Sequence, residues 1–458
     1  MARNYRPYNQ NQEYLLPPSL LDWLPESHLA HFISDVVDSL DLSKIFRVYE
    51  TGDGRGQPPY HPGMMTKLLL YGYCTGKPSS RKIEQATYDQ VPFRFLAAEQ
   101  HPDHDTIANF RSRHLDDLAD IFYQVLRIGG EAGLVKLGHV AVDGSKIKAN
   151  ASKHKAMSYD RMKKAEEKLK SEINELLEKA KQADEADDES FGKGQKGENI
   201  PEELTRRESR LKKIEEAKAT LEEEARERAR QKKLEYEAKM EERKAREEAG
   251  EKLKGPPLKE PPEPESVEPE AKAQKNFTDP ESRIMLDGAT KSFQQSYNAQ
   301  IAVDDKCQFI VGASLTQDAN DKKQLLPMIE QLEENWGQLP KKVSADNGYF
   351  SEDNITAEAI SGTNLYVPPG REKTKKNQPQ SPPPKDATPT EKMRYKLQTD
   401  EGRDVYRMRK AIVEPVFGQV KEVMGHRRLL LRGLSKGSSE WKLICTAHNL
   451  LKLFRFGR

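Results

Sequence analysis

The sequence predicts a mixed α/β (α+β) protein: a helical N-terminal region, then a sheet domain interrupted by a long charged helical hairpin. Three observations carry this expectation. Short β-branched apolar runs with the length of strands recur at VAVDG (140–144), QIAVDD (300–305) and KKVSADNG (341–348). Residues 152–275 are dominated by Lys, Glu, Ala and Arg, with apolar residues at steps of three and four. The first 130 residues carry helix start and stop signals.

In the N-terminal region, SHLAHFISDVVDSL (27–40) has apolar residues at helical spacing, with Ser27 as the expected N-cap. The segment YHPGMMTKLLLYGYCTG (60–76) opens at a proline and closes at a glycine, as helices tend to. DHDTIANFRSRHLDDLADIFYQVLRIGGEAGL (103–134) reads as a capped helix, a short break and a longer helix. Short helices carrying Lys77, Arg81, Lys82, Arg94, Arg111 and Arg113 suit a helix-turn-helix-like DNA-binding unit. They suit equally a helical packing domain that reads no bases.

VAVDG then reads as a buried strand with Asp143 at its end. Met162, Ala165, Leu169, Ile173 and Leu176, and later Leu211, Ile214, Lys218 (the one polar exception) and Leu221, mark the two arms of an antiparallel, mostly solvated hairpin. The arms are separated by DDESFGKGQKGENIP (187–201), and KGPPLKEPPEPESVEPEAK (254–272) reads as an extended, flexible linker. Strand signals resume at SYNAQIAVDD (296–305) and CQFIVGASLTQ (307–317), an expected antiparallel pair. DKKQLLPMIEQLEENWG (321–337) is an amphipathic helix, KKVSADNG a fourth strand ending in an acid, and NLYVPP (364–369) a fifth strand. REKTKKNQPQSPPPKDATPT (371–390) reads as a mobile loop. DVYRMRKAIVEPVFGQVKEVMG (404–425) is a helix that Pro415 should bend or restart, and SSEWKLICTAHNLLKLF (438–454) is a final helix. With the insertion removed, this is the element order of a ribonuclease-H-like fold. The expected domains are 1–132 (helical, DNA-binding), 133–152 with 276–458 (ribonuclease-H-like, catalytic) and 153–275 (hairpin and Pro-rich linker).

Hydrophobic residues make up 35% and charged residues 33%, because the central block dilutes the core-forming parts. The formal net charge of +1 says nothing about nucleic acid, but its distribution does. From Tyr406 onward there are twelve Lys/Arg against three acids, an electropositive tail suited to DNA. Three scattered cysteines, Cys74, Cys307 and Cys445, suggest a reducing compartment and no zinc cluster. No apolar run approaches a membrane span, so the expected setting is cytoplasmic and nucleoid-associated, with no membrane partner.

Phosphodiester cleavage by a two-metal route needs hard oxygen ligands, because Mg²⁺ takes octahedral oxygen coordination. Asp143 after the first strand, Asp346 after the fourth, and Glu414 on the helix after the fifth suit that need. If the first and fourth strands are neighbours, their ends bring two carboxylates together and the helix supplies the third. Taken singly, either aspartate could equally be a helix cap or turn residue. Lys146, just past Asp143, and the basic cluster His426, Arg427 and Arg428 are candidate DNA contacts.

These segments, in order, resemble the DDE transposases of bacterial insertion sequences. YHPGMMTKLLLYGY through HDTIANFRSRH looks like the family's N-terminal domain. VAVDGSKIKANAS looks like its first-acid motif, and TDPESRIM with SYNAQIAVD like its re-entry into the sheet. VSADNGY looks like the second-acid motif, YRMRKAIVEPVFGQVK like the third, and AHNLLKL like the terminal helix. The resemblance implies that Asp143, Asp346 and Glu414 are catalytic and hold two Mg²⁺ (or Mn²⁺) ions. It also implies cleavage at transposon ends followed by strand transfer into target DNA, by a dimer or larger homo-oligomer. The family's third motif places Tyr, two residues, Arg, three residues, Glu, six residues, Lys. Here Tyr406, Arg409, Glu414 and Lys421 match, except that four residues separate Arg409 from Glu414. Lys421, seven residues past Glu414, falls on the same helical face and would meet a phosphate. The rival expectations are a catalytically inactive, transposase-derived DNA-binding protein and a structural coiled coil.

Overall fold

The structure is a computed structural model that describes residues 19–50, 58–191, 202–248, 258–288, 290–370, 382–384 and 386–457. Most of the expected loop at 371–390 and of the expected hairpin turn at 187–201 lies outside the described residues. The chain divides into two compact units, 1–147 with 298–458, and 148–297.

Eight strands occur among the described residues: β1 (His139–Lys148), β2 (Ala156–Ser158), β3 (Gln274–Asn276), β4 (Arg283–Leu286), β5 (Phe293–Asp304), β6 (Ile310–Thr316), β7 (Lys342–Ser344) and β8 (Asn364–Tyr366). β1 lies between β5 and β7 in the sheet, β8 follows β7, and β6 pairs with β5. The β1–β7 and β7–β8 pairs are parallel, and β5–β6 is antiparallel with a register shift at Ala302/Val303. The expected adjacency of the first and fourth strands is therefore present. Parallel strands are buried on both faces, which explains why β1 and β7 read as short apolar runs rather than alternations.

One sheet face carries Val140, Val142, Ala302, Val343 and Ala345, which pack with Leu325, Met328, Ile329 and Leu332 of the Leu325–Trp336 helix. That helix has its apolar residues at the spacing that makes one stripe. It stops at Gly337, whose φ of 66° is the left-handed conformation glycine adopts without a Cβ penalty.

In the same unit, the closing helix Leu434–Phe456 packs against β6 and against the Pro62–Cys74 and Leu115–Glu131 helices. Trp441, Leu443, Ile444, Ala447 and Leu450 are all buried, each large apolar side chain contributing roughly 2 kcal/mol. Two buried polar side chains on this helix, Asn449 and Glu440, are matched. Asn449 accepts from the Ile310 N–H at 2.9 Å and donates to the Ile310 carbonyl at 2.8 Å, sealing the backbone of β6. Glu440 accepts from the Leu430 and Leu431 N–H groups and from the Tyr73 hydroxyl.

Several sequence expectations need correction. The Leu29–Ser39 helix is capped by His28, whose Nδ1 accepts from the Ala30 N–H, and not by Ser27. Pro415 neither starts nor ends its helix: the element runs Asp400–Gly418, capped by Thr399, and continues as a π-turn at Gln419–Val423. Pro415 cannot donate to the Ala411 carbonyl one turn back, and Gln308 Nε2 does so instead at 3.0 Å. A helix at Pro389–Gln398 starts on the last two residues of the expected loop and runs through a stretch with no expected element; its capping box joins Thr388 and Glu391.

In the second unit, the expected hairpin is present as helices Tyr159–Phe191 and Glu202–Glu248, joined by the apolar seam of Tyr159, Met162, Leu169, Ile214, Ala217 and Leu221. The described end of the linker is not extended free of the hairpin. Glu263 pairs with Lys233, Glu265 with Arg230 and Glu268 with Lys163. Such exposed pairs add little stability singly, so they fix the path of the linker more than its energy.

Because Asn449 satisfies two buried backbone groups at once, Asn449→Ala should lower the free energy of unfolding by about 3 kcal/mol. Urea denaturation measures this, and a change below about 0.5 kcal/mol, the size of an ordinary surface substitution, would show that β6 does not depend on that side chain.

Candidate active site

The parallel register of β1 on β7 builds the site. His139 stands opposite Lys342, Val140 opposite Val343 and Ala141 opposite Ser344. Two residues further along, Asp143 comes level with Asp346. Asp143 is not at the end of its strand as expected; β1 continues to Lys148, and Asp143 lies just past the point where pairing with β7 stops. Asp346 does follow its strand, and its Oδ1 accepts from the Gly348 N–H at 2.8 Å, capping the turn Asn347–Tyr349. Asp143 Oδ1 accepts from the Gly144 N–H at 2.9 Å, and its Oδ2 faces Arg409 Nη1 at 3.4 Å.

Burial pushes the Asp143 carboxyl up to about 6, helped by the negative charges of Asp346 and Asp321 and opposed by Arg409. Arg409 is 6% exposed, so its guanidinium serves the interior of the site rather than an outer DNA surface. Its helix neighbour Tyr406 is half-buried against the sheet core, with the Arg409 guanidinium 5.7 Å from its ring.

Glu414 lies five residues beyond Arg409 on the same helix and is exposed. Among the described residues, no three His, Cys, Asp or Glu side chains stand close enough to hold one metal ion directly. The structure thus brings Asp143 and Asp346 together and leaves Glu414 on the solvent side. Further along, Lys421 donates to Ser145 Oγ at 2.6 Å and to the Lys146 carbonyl at 2.8 Å. The helix carrying Glu414 is therefore tied to β1 both before that residue, through Arg409, and after it, through Lys421. Lys146 Nζ donates to the Ala319 carbonyl at 2.8 Å, and burial lowers its affinity for the proton.

In the expected basic cluster, Arg427 is exposed and paired with Glu422, and Arg428 is exposed. His426 is instead buried: it stacks on Tyr73 and bonds the Tyr73 carbonyl at 2.9 Å. Asp304 is a turn acceptor for the Leu137 and Lys306 N–H groups.

Four site residues escaped the sequence reading. Asp321, just before the Leu325–Trp336 helix, accepts at Oδ1 from Asn298 Nδ2 at 2.7 Å and Gln300 Nε2 at 2.6 Å. Buried Tyr349 donates its hydroxyl to Gln300 Oε1. Gly144 makes room for this network: a Cβ there would lie 2.6 Å from Asp321 Oδ1. The available signal was two amides, Asn298 and Gln300, alternating within the otherwise apolar run Tyr297–Val303.

The donor chemistry suits a divalent cation. The oxygens are hard, and a cation would favour the ionised form of Asp143 that burial, helped by the charges of Asp346 and Asp321, disfavours.

Two family models match the sequence. Residues 18–113 match a transposase domain, "Transposase domain (DUF772)", and residues 272–450 match a "Transposase DDE domain". Asp346 and Glu414 fall inside the second match, whereas Asp143 lies between the two. No curated protein and no solved structure matches. The two matches occur in family order and together span more than half of the sequence; the chain belongs to the DDE transposases of insertion sequences, enzymes that cut and transfer DNA strands.

Proposed function

We propose that Asp143 and Asp346 form the metal-holding pair of this transposase, with Glu414 as the third acid, in a ribonuclease-H-like core acting on transposon ends. The observation that carries this reading is the β1–β7 register, which sets two aspartates 203 positions apart level with one another. The sheet order, with β1 between β5 and β7 and the last strand beyond β7, is the order expected of that fold. Glu414 is supported by the two ties of its helix to β1 through Arg409 and Lys421.

DDE transposases use divalent ions, and here Mg²⁺ or Mn²⁺, two ions in all, would supply Lewis-acid stabilisation of the attacking and leaving oxygens. The residues of the chain do the rest. Arg409 holds Asp143 in place, its own charge offsetting part of the local repulsion. The Gly348 N–H orients Asp346. Arg427 and Arg428, both exposed, are the candidates for phosphate contact, while Lys421, Lys146, Arg409 and Tyr406 brace the site. The N-terminal helices would recognise the terminal repeats, and pairing of two ends calls for a dimer or larger assembly. Among the described residues no helix is long and apolar enough to cross a membrane.

Purified protein with Mn²⁺ and end-containing DNA tests the assignment. Asp143→Asn and Asp346→Asn should each lose about 10³-fold or more in cleavage rate, the equivalent of about 4 kcal/mol of transition-state stabilisation. Wild-type cleavage by Asp346→Asn would end this reading. Glu414→Gln should lose cleavage comparably yet leave Mn²⁺ affinity less affected than Asp346→Asn does, because Glu414 is exposed on its helix.

The raised Asp143 carboxyl also predicts a stability effect. A carboxyl whose proton is held more tightly in the folded state favours folding below the unfolded pKa of about 4, and that contribution is lost as pH rises through about 6. In EDTA, Asp143→Asn should therefore melt higher than wild type at pH 8, with the gap closing toward pH 4. Equal melting temperatures at pH 8 would mean that Arg409 already neutralises the site.

A further inference from the structure

Asp321 has no part in the three-acid scheme, yet it is tied into the site. Its Oδ1 accepts from Asn298 and Gln300. Its Oδ2 lies 3.6 Å from where a Cβ on Gly348 would stand, and Gly348 is the residue whose N–H orients Asp346. Its charge is one of those felt by Asp143, Lys146 and Tyr349.

A second, independent observation points to a ligand. Asn298 is 0% exposed and its Oδ1 has no hydrogen-bond partner. That oxygen lies 3.0 Å from the Cβ position of Gly144, the residue next to Asp143. A buried acceptor left unmatched costs about 1–3 kcal/mol, so it calls for a donor that the protein itself does not supply. The Asn298 amide orientation is fixed by its other end, which donates to the Asp318 carbonyl and to Asp321.

We propose that Asp321 and Asn298 form an outer bracket of the metal site, accepting hydrogen bonds from water bound to the divalent cation held by Asp143 and Asp346. The inference rests on the metal-holding role of that aspartate pair. It fits the finding that no three acids among the described residues stand close enough to coordinate one ion directly. It also fits the chemistry of Mg²⁺, which keeps several of its waters and leaves them to be oriented by neighbouring acceptors. Gln300 is the brace. It is held between the Tyr349 hydroxyl and Asp321, so that the carboxylate cannot rotate away. Asp321 is on this account a positioning residue, acting through water.

The test is Mn²⁺ titration of the full-length, DNA-free protein, read by the electron paramagnetic resonance of free Mn²⁺, with thermal melting in EDTA alongside. Wild type should bind and Asp346→Ala should lose binding. Asp321→Asn keeps the shape and the two amide hydrogen bonds, so it should melt in EDTA no lower than wild type while binding Mn²⁺ about 10-fold more weakly. Asp321→Glu, which retains the charge, should recover most of that loss, as a merely structural role would not. If Asp321→Asn binds as wild type does while Asp346→Ala does not, the bracket is wrong and the aspartate pair stands. If wild type binds no Mn²⁺, both fall. Should Asp321→Asn melt lower in EDTA, Asp321→Glu decides: recovered Mn²⁺ binding supports the bracket, and binding no tighter than that of Asp321→Asn overturns it.

Discussion

Three parallel residue pairs between β1 and β7 determine where Asp143 and Asp346 are placed. Side chains alternate faces along a strand with a period of two, so a slip of one residue would turn Asp143 away from Asp346. Val140 and Val343, both fully buried, hold the register because a slip would drive them out of the core. The energy that fixes the register is apolar burial, and the groups it aligns are carboxylates that repel one another. Arg409, itself almost wholly buried, answers part of that repulsion from the neighbouring helix.

That helix has an irregularity of its own. A proline in a helix interior removes one donor, and here the freed Ala411 carbonyl is taken up by Gln308, a residue with positive φ in the turn between β5 and β6. Immediately afterward the helix loosens into a π-turn, and Lys421 sits within it. A straight α-helix would carry Lys421 on the face of Glu414, as the seven-residue spacing suggests. The π-turn changes that phase, and the lysine ends on Ser145 and Lys146 of β1. The departure of this motif from the family spacing therefore lies on a helix pinned to the sheet at two points.

The sequence made β1, β5, β6, β7 and β8 legible because each is a local pattern, a short apolar run bounded by turn residues, whereas β2, β3 and β4, three or four residues each, were not read from it. The charged hairpin was legible for the same reason, its apolar seam being spaced at three and four residues. What escaped was set by contacts distant in the chain. Asn298 and Gln300 look like ordinary strand amides until Asp321 is brought beside them. His426 sits between a glycine and two arginines and reads as part of a basic surface, but the stack on Tyr73 draws it inside. The Pro389–Gln398 helix was hidden by its Pro- and Lys-rich surroundings, although Thr388-Pro-Thr-Glu391 is a start signal in its own right. The placement of the helix carrying Glu414 follows from the ties of Arg409 and Lys421 to β1, which no periodicity announces.

The separation of β1 from β7 along the chain has a temporal consequence. Strand β1 leaves the ribosome long before its parallel neighbour exists, with the whole charged hairpin translated between them. At ordinary elongation rates the roughly 270 residues from Asp143 to Glu414 take on the order of tens of seconds to make. Within that interval β5, the other sheet neighbour of β1, emerges first, but Asp143 has no Asp346 beside it until β7 follows. If Asp143, Asp346 and Glu414 form the cutting centre, that centre is assembled only as the last third of the chain emerges.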